Sequence, residues 1–154
     1  MASDFVAVNA DYVARVSASL AAQAFMAKLL GARVTQVLPG LVEIEVRLGA
    51  DMLQPHGNSD GMVLSAVADS ATGYAAQTLL GAEFDVVTVE FKVNYLMPAF
   101  GLRVRACGRV MRAGRTLHVC SGDVYSCGDG PDKLVAHYGR DHNGGADLSA
   151  VRWR

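Results

Sequence analysis

The sequence predicts an α+β fold in which a long helix lies across one face of an antiparallel sheet. Three observations point to it. Apolar residues recur at helical spacing over 11–30 and again, more densely, over 62–80. A hairpin pattern separates these two runs. From residue 86 onward the chain reads as apolar, alternating stretches broken by Gly and Pro. Such a sheet has an apolar face that must be covered, and the long helix is the element that covers it.

In order along the chain, Val13, Val16, Leu20, Ala24 and Ala27 stand three and four apart, which makes one amphipathic helix ending at Gly31. Residues 32–38 and 41–48 pair around Pro39-Gly40. The second of these strands sets Val42, Ile44, Val46 and Leu48 against Glu43, Glu45 and Arg47, so the hairpin has one wet face. A loop over 49–60 enters the second helix at 62–80, where Ala66, Asp69, Gly73 and Ala76 form a small-residue face open to close approach by another backbone. Strands are expected at 86–96, 102–111, 116–126 and 133–138, with turns at 98–101, 113–114 and 128–131, as a meander. Residues 1–154 are expected to form a single domain, with 141–154 a loose tail.

Hydrophobic residues make up 51% of the chain and charged residues 19%, an apolar balance that predicts burial against another copy in a homo-oligomer. A net charge of -1 with dispersed Lys and Arg carries no footprint for nucleic acid or an anionic membrane. Cys107, Cys120 and Cys127 lack the spacing of redox or zinc sites and read as core residues, so no metal or cofactor is expected. The first residues lack the pattern of a signal peptide. The run 62–80 is interrupted by Ser65, Asp69, Ser70 and Gln77, which argues against a membrane span and for a cytoplasmic protein.

Asp69 is the first candidate for chemistry. An ionised carboxylate among Val63, Ala66, Val67, Ala68 and Ala71 is costly unless it is paired, hydrogen-bonded or facing a wet pocket. Taken alone, the helix leaves open that Asp69 pairs with an arginine or caps a neighbouring loop. Two other patterns are weaker. Gly57 to Gly61 spells GxSxG, but the nucleophile elbow needs an apolar strand running into the serine, and residues 50–56 are no such strand. No phosphate-binding glycine motif is present.

The run LQPHGNSDGMVLSAVADSATGYAAQTLL, followed by TVEFKVNYLMPAFG, resembles the hotdog-fold thioesterases, specifically the PaaI-like acyl-CoA thioesterases of the phenylacetate pathway type. The anchors keep their order, with Gln54 and Gly61 seven apart, Gly61 and Asp69 eight apart, and Thr88 and Pro98 ten apart. The resemblance implies a hotdog fold and hydrolysis of an acyl-CoA, coenzyme A entering as part of the substrate. It implies Asp69 as nucleophile or general base, Gly61 as oxyanion donor, Gln54 as the orienting amide and Thr88 as the hydroxyl that holds water. The physics agrees: a thioester carbonyl becomes an oxyanion during attack, and free N–H groups at a helix start stabilise it. Gly61 and Asp69 lie about 12 Å apart along a helix axis, so one chain's pair cannot flank one carbonyl. The resemblance accommodates this distance, because it implies sites at a subunit interface of a dimer or a dimer of dimers, the acid coming from one protomer and the donor from the next.

The family's HGG is replaced here by Asp60-Gly61-Met62, which removes a histidine and a glycine. Asp60 is also among the best N-cap residues. Asp60, Met62 and His56 near the helix start, and Asn94 on the following strand, are candidate substrate-facing residues. Arg112 and Arg115, flanking the turn at 113–114, are candidates for the CoA phosphates. Two other readings remain: an acyl-CoA-binding hotdog protein without efficient turnover, and a hotdog dehydratase, for which only His56 is available as the base.

Overall fold

The computed structural model describes residues 5–139 together with the backbone of 150–153. Its strands are β1 (Arg33–Leu38), β2 (Leu41–Arg47), β3 (Asp85–Val87), β4 (Val93–Tyr95), β5 (Arg103–Ala113), β6 (Leu117–Cys127), β7 (Lys133–Gly139) and β8 (Ala150–Trp153), and its α-helices are α1 (Tyr12–Ala22) and α2 (Gly61–Gln77). The sheet runs β1-β2-β5-β6-β7-β4 with antiparallel neighbours. The hairpin over Pro39-Gly40 forms as expected, with Leu38 opposite Leu41.

The sheet wraps α2, which packs chiefly on β5, β2 and β6. Val67, Ala68, Ala71, Ala75 and Ala76 are fully buried, as are Val42, Ile44, Val46, Val104, Ala106 and Val124 on the strands. Each such valine contributes about 1.5–3 kcal/mol by leaving water. The helix can sit this deep because Gly108 and Gly122 are paired across β5 and β6. A Cβ on Gly108 would stand 2.3 Å from the Ala71 carbonyl carbon, and one on Gly122 would stand 3.1 Å from Thr72 Cγ2. Two missing side chains thus cut a trough in the sheet.

Four expectations need correction. The first helix does not run unbroken from 11 to 30: α1 stops at Ala22, Gln23 turns extended (ψ 90°), and a π-helical turn (Phe25–Leu29) follows. The break re-phases the apolar stripe, so that Met26 and Leu30 are buried after Val16 and Leu20, while Val13 is 46% exposed and Ala24 faces solvent. The second helix is α-helical only to Gln77; Leu79 and Leu80 close a tighter turn by bonding back to Ala76 and Gln77.

The strand expected at 86–96 is split into β3 and β4. Its inner neighbour explains the split. β7 ends at Gly139, whose N–H makes a last bond to Lys92, and β8 occupies the next stretch of the same lane, pairing with β3 on one side and Leu117 and His118 of β6 on the other. Residues 88–92 fall between the two. The expected loose tail is a strand over Ala150–Trp153, and the rest of that stretch, 141–149 and 154, lies outside the described residues.

Candidate active site

Asp69 stands on the side of α2 that the sheet leaves uncovered, and it is half-buried. Thr88 Oγ1 donates to its Oδ1 at 2.7 Å, and the Tyr138 hydroxyl donates to the same oxygen at 2.6 Å. Thr88 follows β3 at the sheet edge, whereas Tyr138 lies on β7, fully buried, its ring stacked on Phe91 with centroids 5.3 Å apart. Burial first, and then the hydrogen bond and charge of Asp69, push the Tyr138 hydroxyl well above the ordinary tyrosine range. It is therefore a donor at any working pH.

A cavity of about 450 Å³ opens beside Asp69 between α1, α2 and β3, lined by Gly73, Tyr74, Gln77, Val86 and Thr88 among others. Its far end is polar. Tyr74 donates to Gln23 Oε1 at 2.8 Å, and the Gln77 amide donates to Ser19 at 3.2 Å and Asp85 at 3.1 Å. Burial, with Asp85 nearby, pushes the Tyr74 hydroxyl up to about 12.

The start of α2 forms a second constellation. Asp60 is extended (φ -61°, ψ 138°), and its Oδ1 accepts from Met62 N at 2.7 Å, which is N-capping geometry. The other carboxylate oxygen accepts from the Gln54 side-chain amide, so Asp60 joins the loop to the helix. Gly61 is the first helical residue, and its N–H has no partner within the helix. Tyr95, on β4, reaches over it: the hydroxyl donates to Gly61 O at 2.9 Å and hydrogen-bonds Ser65 Oγ at 2.6 Å. A Cβ on Gly61 would meet that ring and hydroxyl at 3.2 Å, so glycine is needed here to seat Tyr95 as well as any substrate. Gln54, Gly61, Leu64, Tyr95 and Met97 line a second cavity of about 500 Å³.

Within one chain, then, Asp69 and Thr88 line one cavity while Gly61 and Gln54 line another. The remaining candidates are dispersed. Met62, 73% exposed, and Asp60 border an apolar recess of about 400 Å³ with Phe25, Leu29 and Leu53. His56 is exposed on the loop, Asn94 is half-buried on β4, and Arg112 and Arg115 are exposed near the β5–β6 turn; none of these four lines either main cavity. Tyr138 and Ser65 escaped the sequence reading. The one available signal was that a tyrosine in an apolar strand needs a partner for its hydroxyl. Among the described residues no group of His, Cys, Asp and Glu is placed to hold a metal ion, and no helix is long and apolar enough to cross a membrane. Cys107, Cys120 and Cys127 are buried.

The profile of the thioesterase superfamily matches residues 61–131, the stretch that carries Gly61, Asp69 and Thr88. A solved thioesterase family protein from Silicibacter pomeroyi is 38% identical, over 92% of this chain and 97% of that one, with a TM-score of 0.83. The chain belongs to the thioesterase superfamily. Its fold is the α+β hotdog fold, shared by this thioesterase-superfamily chain with the PaaI protein of the phenylacetic acid degradation operon of E. coli (19% identity, 93% and 94% of the two chains, TM-score 0.74). A thioesterase from Haemophilus influenzae shares it too, at 20% identity over 88% and 87% of the chains, TM-score 0.74. Among curated proteins none matches the chain.

Proposed function

We propose that this thioesterase-superfamily protein hydrolyses an acyl-CoA thioester at a site shared between two copies, with Asp69 from one and the Gly61 N–H from the other. The observation that carries the proposal is the Asp69 carboxylate held by Thr88 at 2.7 Å at the wall of an open cavity. Membership of the family supports the reaction class.

Sharing follows from the sheet edge. The segment from β3 through β4 has a strand lane on its inner side, and on it Val87, Val89, Phe91, Tyr95 and Leu96 are each 43–54% exposed. A long apolar edge of this kind calls for pairing. Antiparallel pairing of two such edges about their midpoint sets the Thr88 end of one chain beside the Tyr95 end of its partner. Each Asp69 cavity then opens toward the other copy's helix start, the minimal assembly being a dimer, which can pair further into a dimer of dimers.

At such a site the thioester carbonyl oxygen lies against the Gly61 N–H, where the helix dipole favours developing negative charge. Asp69 takes a proton from a water that Thr88 helps to hold. The water oxygen attacks the carbonyl carbon, the tetrahedral intermediate collapses, the C–S bond breaks, and the thiolate of CoA leaves with the proton returned by Asp69. Direct attack by the Asp69 carboxylate, followed by hydrolysis of the anhydride, gives the same products. Gln54 orients the reactants through its tie to Asp60. Met62 and its recess, with His56 and Asn94 further out, border the acyl entrance, and Arg112 and Arg115 serve the CoA phosphates.

The test is thiol release from acyl-CoAs of graded size and aromaticity, with turnover expected for at least one class. Failure across the whole series, combined with tight binding of an acyl-CoA, would establish the second reading, a binding protein without efficient turnover. That reading is favoured by one specific observation, that the Gln54 amide is committed to Asp60, the residue replacing the family's histidine.

A further inference from the structure

We infer that Tyr138 is a positioning residue, one half of a two-hydroxyl clamp that fixes Asp69 Oδ1 and leaves Oδ2 as the oxygen that meets water or substrate. The inference rests on the proposed function for its kinetic consequence, but the clamp itself is geometric.

A carboxylate offers two oxygens and about four acceptor positions, and its terminal torsion is broad, so one hydrogen bond leaves the group free to turn. Here both donors converge on a single oxygen from two separate segments, Thr88 just after β3 at the sheet edge and Tyr138 on β7 one lane further in. Oδ2 accepts from nothing among the described residues. It is also absent from the polar atoms that are sealed and unpartnered, so solvent reaches it, and Asp69 lines the cavity. The division of labour is therefore complete: one oxygen is anchored and the other is presented.

The Tyr138 ring could be a phenylalanine as far as packing is concerned. It is fully buried, stacked on Phe91, and its Cβ lies 3.5 Å from where a side chain on Gly122 would begin. A buried hydroxyl in such surroundings needs a partner, and Asp69 is that partner. Because burial and Asp69 together keep it protonated, the hydroxyl remains a donor to this oxygen, and with Thr88 it anchors Oδ1. Asp85 is the other carboxylate lining the cavity, and it is engaged by the Gln77 amide and the Val86 N–H.

Tyr138→Phe keeps the ring and removes the donor. We expect kcat to fall roughly 10- to 100-fold, the range for a hydrogen bond to a charged group, with KM and the melting temperature little changed. The acid limb of the pH–rate profile should move to higher pH, because an O–H donor favours the charged form of the carboxylate it serves. Thr88→Val should give the same signature from the other side of the clamp. A second readout needs no turnover: the carboxyl carbon resonance of Asp69 at one fixed pH, which should shift in Tyr138→Phe as the group loses a donor and regains its freedom to turn. A wild-type protein that hydrolyses no acyl-CoA but whose Tyr138→Phe variant shows this shift refutes the proposed reaction and supports the clamp. An unmoved resonance overturns the clamp, as does a fall in kcat that comes with lost stability and an unmoved acid limb.

Discussion

If the acid and the oxyanion donor come from different chains, two inactive variants should repair each other. Asp69→Asn removes the base while keeping an oxygen that accepts from Thr88 and Tyr138, so the fold survives and turnover falls at least roughly 100-fold. Gly61→Pro removes the N–H while keeping a residue that can start the helix. Proline is favoured at the first position of a helix, and Asp60 before it already has the extended backbone (φ -61°, ψ 138°) that a pre-proline residue requires. The added Cβ stands 3.2 Å from Tyr95, so the tyrosine must yield by a few tenths of an ångström. Loss of one oxyanion donor costs about 10²- to 10³-fold in turnover. After co-refolding in equal amounts, about half of the dimers are mixed, and one of the two sites in each holds an intact Asp69 and an intact Gly61, so about a quarter of the wild-type rate should return. Thiol release from the best acyl-CoA, before and after mixing, measures it. A mixture no faster than the mean of its parents would refute the shared site and place both groups in one chain.

Asp69→Ala should be as inactive as Asp69→Asn but less stable by about 1–3 kcal/mol, since it removes the carboxylate that the buried Tyr138 hydroxyl serves; urea unfolding of the pair separates chemistry from packing. Asp60→Ala should cost about 1 kcal/mol for the lost cap, and Asp60→His should raise turnover only if Asp60 serves merely to cap α2 and release of Gln54 does no harm, which kcat and unfolding midpoints report together. Gly108→Ala drives a methyl into the α2 backbone and should destabilise by at least about 3 kcal/mol, visible as a lowered melting temperature. Tyr74 has a raised folded-state pKa, so the stability it lends is present below the ordinary tyrosine value of 10.0 and is lost as pH climbs through about 12. A Tyr74→Phe variant should lose less stability across that window.

Local patterning made most of the fold legible. The alternation in 41–48, the Pro39-Gly40 turn and the isolated charge of Asp69 are properties of adjacent residues, and the structure keeps all three. Asp60 as an N-cap was likewise readable from one residue and its neighbours. What escaped was long-range. The break at Gln23 answers to a core that wants Met26 and Leu30 rather than Ala24 and Ala27, and Gln23 is tied to Tyr74, fifty-one positions away. The division of 86–96 depends on where β7 ends and β8 begins, which nothing within 86–96 can announce. The hydrogen bond between Tyr138 and Asp69 spans sixty-nine positions and joins a helix to the strand lane behind the edge, so no spacing rule reaches it.

The apolar edge that runs from Val87 to Leu96 has a consequence for how such an enzyme can fail. In the paired arrangement proposed for two copies, sliding one past the other by two residues would keep every side chain on its own face and preserve a well-formed interface, yet would displace each acid from the opposing helix tip by about 7 Å. Substitutions along this seam could thus leave association intact and silence the chemistry, making turnover itself the gauge of how the two ribbons are aligned.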